Sequence, residues 1–163
     1  MNLPAMAPQW LVALLFALLI AAAVEDGFRL RISNLTCIGI LIAGIAGIAL
    51  AGPERALWQN LVVFVAMLAM GTPLFAAGKM GGGDIKLLAV TGLWFDLQGA
   101  LLLLVCVLIA GGLLAMFLIG VRRSLWSAQA APGAKVLKRG GVIPYGVAIS
   151  AGAIFSIALA ASR

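Results

Sequence analysis

Charges and Gly/Pro breaks cut this chain into six apolar segments, and little other than a membrane-embedded helical bundle fits that pattern. The segments cover residues 3–24, 35–51, 57–77, 85–95, 98–121 and 141–161. A helix needs about 20 apolar residues to cross a bilayer, and all but the fourth segment come near that length. Hydrophobic residues make up 64% and charged residues 10% of the sequence, where soluble domains carry about 25% charge. No polar stretch is long enough to fold a soluble core. The expected fold is therefore all-α: a polytopic membrane helix bundle of about six transmembrane helices, with residues 1–163 forming a single domain.

Residues 11–20 followed by Ala21-Ala22-Ala23 have the outline of a secretory signal, but no basic residue precedes Arg29. A retained first helix is expected. Cys37 and Cys106 lie in separate apolar runs, with no CxxC pair and no histidine anywhere. Buried free thiols are the expectation, with no metal and no cofactor.

The fourth segment is the exception that points to chemistry. Residues 85–95 would rise only about 16 Å as a helix, against a hydrocarbon core about 30 Å thick. With Trp94 anchored at one interface, Asp84 is drawn below the other. Gly81-Gly82-Gly83 then supplies non-helical backbone at membrane depth, which persists only where protein or a water-filled cavity satisfies it. A wet pocket around Asp84 is expected.

An acid bordering hydrocarbon is costly and marks a functional site by default. The chain has only five acidic residues, and a second one, Asp26, closes the first apolar run. Two aspartates at the ends of separate helices can meet and share a water, the equipment of an aspartic protease. One carboxylate draws a proton from the water, which attacks the scissile carbonyl, while the protonated partner polarises that carbonyl and assists the leaving amine. The pair titrates as a unit, so the sequence leaves open which is the base.

Plainer readings compete. Asp84 opens a helix and could be its N-cap, although a cap explains neither three consecutive glycines nor the short span. Asp26 could form an interfacial ion pair with Arg29 or Arg31. It is a poor cap, because a helix C-terminus disfavours an anion. Glu25 is the adjacent alternative for the same work. Neighbours on a helix point about 100° apart, so one of the two at most faces the bundle centre.

With six spans, one set of loops holds Arg29, Arg31, Lys79, Lys86, Arg122, Arg123, Lys135, Lys138 and Arg139, and the other side only Arg55 and Arg163. The positive-inside rule makes the first set cytoplasmic, together with Asp26 and Asp84. The 122–140 loop carries five of these basic residues and no acid, which reads as attraction to anionic lipid headgroups. No nucleic-acid partner is expected.

Three motifs carry a family resemblance. The run Gly81-Gly82-Gly83-Asp84-Ile85-Lys86-Leu87-Leu88-Ala89 resembles the GxGD signature of bacterial type IV prepilin peptidases. Asp26, followed by Arg29, Arg31, Ile32 and Asn34, resembles the first catalytic aspartate and its trailing basic-Ile-Pro-Asn segment. Ser33 stands where that segment has proline, and Gly27-Phe28 where a hydrophobic and then a basic residue are usual. Ile143-Pro144-Tyr145-Gly146 is similar to the family's Pro-Tyr-Gly helix opening. The three occur in the family's order and spacing over most of the chain.

The resemblance implies an aspartic endopeptidase of the bacterial inner membrane, with Asp26 and Asp84 catalytic and Gly81, Gly83, Lys86, Asn34, Pro144 and Tyr145 in support. It implies cleavage of prepilin leader peptides at the cytoplasmic face, with the leader and the pilin's N-terminal helix as partners. The chain's size points to the short branch serving tight-adherence, Flp-type pili. It lacks the CxxC-bearing region that longer relatives associate with N-methylation. Lys86 is placed to tune Asp84 or meet a phosphate headgroup. Pro144 and Tyr145 line the substrate entrance or, for the proline, simply open the last helix.

Two other function classes compete. A small transporter also uses short, Gly-interrupted helices around a buried acid, although no internal repeat is visible here. A non-catalytic assembly factor of a pilus or secretion complex would use the bundle as a scaffold. A presenilin-like protease is disfavoured, because Val24-Glu25-Asp26 and Pro144-Tyr145-Gly146 replace its Tyr-Asp and Pro-Ala-Leu segments. Ala43 with Gly47, and Gly111 with Gly112, permit close helix approach, either inside the bundle or in a homo-oligomer.

Overall fold

The computed structural model describes residues 2–52, 57–127 and 143–161, and all its regular structure is helical. In chain order the elements are α1 (Leu3–Met6), α2 (Gln9–Arg29), α3 (Asn34–Ala51), α4 (Trp58–Ala76), α5 (Gly82–Gly92), α6 (Leu97–Ser127) and α7 (Tyr145–Ala161). Four helices are long and apolar enough to cross a membrane: α2, α3, α4 and the Leu97–Arg123 part of α6. The protein is a helical membrane bundle.

Pro8 divides the first apolar segment. It sits in the N-cap position of α2, leaving α1 as a single turn, because proline offers no N–H and cannot continue a preceding helix. α2 then runs past the expected end at residue 24 to Arg29, so Gly27 and Phe28 are helical. The helix stops where Leu30 turns left-handed (φ 54°, ψ 35°), its N–H donating to the Asp26 carbonyl at 2.9 Å. α3 starts on a Ser33 N-cap whose Oγ accepts the Leu35 N–H at 3.1 Å, a usual use of serine at this position.

The short α5 is short for a different reason from the one its length suggests. It packs against α3, α4 and α7, with Ile85, Leu87, Ala89, Val90, Thr91 and Gly92 buried. Trp94 is not an interfacial anchor: it is fully buried, and its Nε1 donates to the Ile40 carbonyl at 3.3 Å. The α1 turn closes this end, the Leu3 N–H donating to the Trp94 carbonyl at 3.0 Å. A helix surrounded by protein has no bilayer thickness to match, so 11 residues suffice.

Glycines let the other helices close on this centre. A Cβ at Gly44 would lie 3.1 Å from Trp94 Nε1, and one at Gly152 would lie 2.6 Å from the Val107 backbone nitrogen. Ala43 is buried, and Gly47 packs on Leu11. That pair serves internal packing. Gly111 faces Ala148 across α6 and α7, whereas nothing lies within 4 Å of a Cβ at Gly112.

The end of α2 meets the starts of α3, α5 and α7 at one end of the bundle, and α6 runs antiparallel to α7, with Gly111 beside Ala148 and Gly152 beside Val107, and extends past the start of α7. α6 continues to Ser127, which makes Arg122 and Arg123 helical instead of part of a loop. Most of the 122–140 stretch expected to meet lipid headgroups lies outside the described residues.

Trp94→Ala should cost about 3–5 kcal/mol, the range for deleting a buried large side chain. Trp58→Ala, at a residue that is 58% exposed, should stay within about 0.5 kcal/mol. Thermal unfolding in detergent checks this, and equal losses would mean that Trp94 is no core residue.

Candidate active site

Asp26 occupies the last turn of α2 and is 5% exposed. Its own helix C-terminus is unfavourable for an anion, but the carboxylate faces the start of a second helix. Asp26 Oδ2 accepts the Gly146 N–H at 2.7 Å. Gly146 lies in the first turn of α7, where N–H groups have no intrahelical acceptor and the helix dipole favours negative charge. The bond comes from backbone, not from Arg29 or Arg31, so the ion-pair reading does not describe this carboxylate.

Asp84 is the third residue of α5, with Gly81 in the N-cap position. Its Oδ2 accepts the Gly81 N–H at 3.2 Å, the half of a capping box that the N3 residue supplies. The helix-start reading is thus partly right, but the same carboxylate also faces the Asp26 site. Burial pushes its pKa up to about 6, and the charge of Asp26 adds to the rise. The N–H groups of Gly81 and Gly146 oppose it. Gly146 therefore acts on both carboxylates.

The three glycines are mostly helical, contrary to the expected irregular backbone; only Gly81 precedes α5, in extended conformation (φ −71°, ψ 145°). Close approach accounts for them better than backbone freedom. A Cβ at Gly81 would lie 2.8 Å from Asp84 Oδ2, one at Gly82 3.3 Å from the Phe75 ring, and one at Gly83 3.3 Å from Ile32 Cβ. At Gly146 an added Cβ would meet Ile32 Cδ1 at 2.8 Å and Asp26 Oδ2 at 2.9 Å.

Asp26 and Asp84 line one cleft of about 240 Å³, with Leu30, Arg31, Ile32, Gly81, Gly82 and Gly83 as its other walls. The expected pocket around Asp84 is present, built by the α2–α3 turn and the start of α5, not by a helix stretched between interfaces. An apolar groove of about 450 Å³ lies beside it between α4, α5, α6 and α7, with Met80 and Tyr145 at its near end and Gly111, Gly112 and Ala115 along one wall.

The remaining expected residues divide by position. Gly81 and Gly83 are cleft walls. Lys86 is exposed and its Nζ donates to Asn34 Oδ1 at 3.1 Å, tying α5 to the start of α3. It is not among the groups that shift Asp84. Pro144 is buried and opens α7, while Tyr145 is 39% exposed and lines the apolar groove. Glu25 does not line the cleft. Its Oε2 accepts the Ser33 N–H at 2.9 Å and the Thr36 hydroxyl at 3.1 Å.

Gly146 and Ile32 are the site residues that sequence reasoning passed over. For Gly146 the available signal was a glycine directly after Pro144-Tyr145, at the opening of a helix. Nothing in the sequence marked Ile32 as the side chain wedged between Gly83 and Gly146. Two carboxylates on one cleft, each accepting a backbone N–H, can share a proton and activate a water. Among the described residues, no group of three or more His, Cys, Asp or Glu side chains is placed to hold a metal ion.

A carboxyl raised to about 6 in the folded protein and about 3.8 when free stabilises the fold fully only below the lower value; this contribution is lost as pH rises through the higher one. Asp84→Asn, which mimics the protonated form, should raise the unfolding midpoint at pH 7.5 and leave it unchanged near pH 3.5. Thermal melts at the two pH values test the sign, and a variant less stable than wild type at pH 7.5 would contradict it.

The model of the type IV leader peptidase family matches residues 13–116. No curated protein and no solved structure matches the chain significantly.

Proposed function

The chain belongs to the type IV leader peptidase family, and on that premise we propose that it is an aspartic endopeptidase that removes the leader peptides of Flp-type prepilins, with Asp26 and Asp84 as its catalytic pair. The observation that carries this reading is the shared cleft: two carboxylates distant in sequence face one space, and the Gly146 N–H donates to Asp26 beside it. In this mechanism one proton is held between the two carboxyls. The ionised carboxylate takes a proton from water, and the hydroxide formed attacks the scissile carbonyl. The protonated carboxyl donates to the carbonyl oxygen, and the amine leaves with a proton returned by the pair.

The substrate assignment rests on the chain's motifs and on the apolar groove. A leader lying in the cleft would continue into that groove through its near end at Met80 and Tyr145, which suits the apolar N-terminal helix of a pilin. Placement in the bacterial inner membrane with the cleft toward the cytoplasm is supported by charge. Every described Lys or Arg (Arg29, Arg31, Lys79, Lys86, Arg122 and Arg123) lies at the Asp26–Asp84 end, the asymmetry the positive-inside rule describes. In this reading residues 1–163 act as one peptidase unit, and anionic headgroups meet the basic stretch that begins at Arg122.

Incubating the detergent-solubilised protein with a Flp-type prepilin should release a leader-sized fragment. Asp26→Asn and Asp84→Asn should each lower kcat by about 10²- to 10⁴-fold, the usual contribution of a positioned acid or base. Retained cleavage in both variants would remove the dyad. Pilus assembly that survives both substitutions would favour a scaffold, and solute flux in liposomes without cleavage a transporter. Gly112→Leu, at the open wall of the groove, should raise KM severalfold with kcat held, the pattern of lost uniform binding.

A further inference from the structure

We propose that Glu25 is a positioning residue for the Asp26–Asp84 cleft, acting as a tether that fixes the turn between α2 and α3. The inference rests on the peptidase reading for its consequence, and on geometry for the tether itself. Glu25 precedes Asp26 on α2 but points elsewhere, and its Oε2 takes one hydrogen bond from the Ser33 N–H and one from the Thr36 hydroxyl. Both donors belong to the first turn of α3 or its cap. Charge-assisted bonds of this kind are among the stronger ones a carboxylate makes, and the anion sits at a helix N-terminus, where the dipole favours it.

The tether spans a segment that needs holding. Between its anchors lie Leu30, Arg31 and Ile32, all walls of the cleft. Leu30 is in the left-handed conformation, the only non-glycine described residue with positive φ, and a branched side chain there is strained. Ile32 is the spacer of the site. An added Cβ at Gly146 would meet its Cδ1 at 2.8 Å and one at Gly83 would press on its Cβ at 3.3 Å, so it wedges between the helix starts that carry Asp84 and the Gly146 N–H. A shift of Ile32 changes the spacing of the two carboxylates, even though Glu25 touches neither.

Ser33 fits the same device. Its φ of −66° suits proline, but proline has no N–H to give Glu25. Serine here supplies both the Leu35 cap and the tether's first bond. The two functions separate by substitution: Ser33→Ala loses the hydroxyl and keeps the N–H, whereas Ser33→Pro loses both.

The experiment measures prepilin cleavage by full-length variants in detergent, per folded molecule, alongside hydrogen exchange of the peptide covering residues 30–37. Glu25→Ala should lower kcat about 10- to 100-fold, the scale for misplacing reacting groups by about 1 Å, with KM little changed. Glu25→Gln keeps the acceptor but loses the charge assistance and should fall between wild type and Glu25→Ala. Ser33→Pro should resemble Glu25→Ala, Ser33→Ala should not, and the double variant Glu25→Ala/Ser33→Pro should be no worse than either single change. In exchange, residues 30–37 should open fastest in Glu25→Ala, with Glu25→Gln between it and wild type.

A Glu25→Gln variant as slow as Glu25→Ala would overturn the tether in favour of a charge effect. So would a Glu25→Ala variant with lower folded yield but unchanged kcat, or exchange that is the same in all variants. A wild-type protein that cleaves no prepilin would sink the peptidase reading and the positioning role with it, while the exchange data would still decide whether the tether exists.

Discussion

A carboxylate as buried as Asp26 can be drawn into an apolar bundle only if something other than water holds its charge, and the Gly146 N–H does so here. Its 2.7 Å bond to Asp26 comes from the first turn of α7, where backbone donors have no partner within the helix. Much of the architecture around it provides for its approach. Glycine is favoured at 146 because a Cβ would run into Asp26 and Ile32, and at 83 a Cβ would press on Ile32 at 3.3 Å. The three motifs recognisable in the sequence are, in space, three helix ends brought to one point.

The short fifth helix gives that point its rigidity. Its burial among α3, α4 and α7, with Trp94 locked to the Ile40 carbonyl and α1 folded over its end, fixes the base from which Asp84 projects. A spanning helix would be free to tilt with bilayer thickness. A helix enclosed by protein is positioned by packing alone, which is tighter. The carboxylate whose pKa is raised by burial thus rests on the most enclosed element of the fold.

Asp26 rests on a more delicate arrangement. It is carried on the last turn of α2, next to a strained Leu30, and the bonds from Ser33 and Thr36 to Glu25 hold that end against α3. The departure from the family pattern at Ser33 belongs with this arrangement, since a proline could not donate to Glu25. The two adjacent acids therefore divide their work by direction: one faces the cleft and the other caps the neighbouring helix.

The sequence by itself determined that the chain is a helical membrane bundle, because apolar runs of this length have nowhere else to hide their backbone groups. It also singled out Asp26 and Asp84, since acids are few and poorly tolerated beside hydrocarbon. It did not determine why α5 is short. Length alone cannot separate a stretched span from a core helix, and only the packing of Trp94 does so. Nor could it decide between Glu25 and Asp26, whose side chains diverge by a helical turn angle that has meaning only once α3 and α7 are in place. The roles of Gly146, Gly83 and Ile32 were decided by tertiary structure alone. They depend on distances between helix ends far apart in the chain, and no local propensity encodes a contact of that kind.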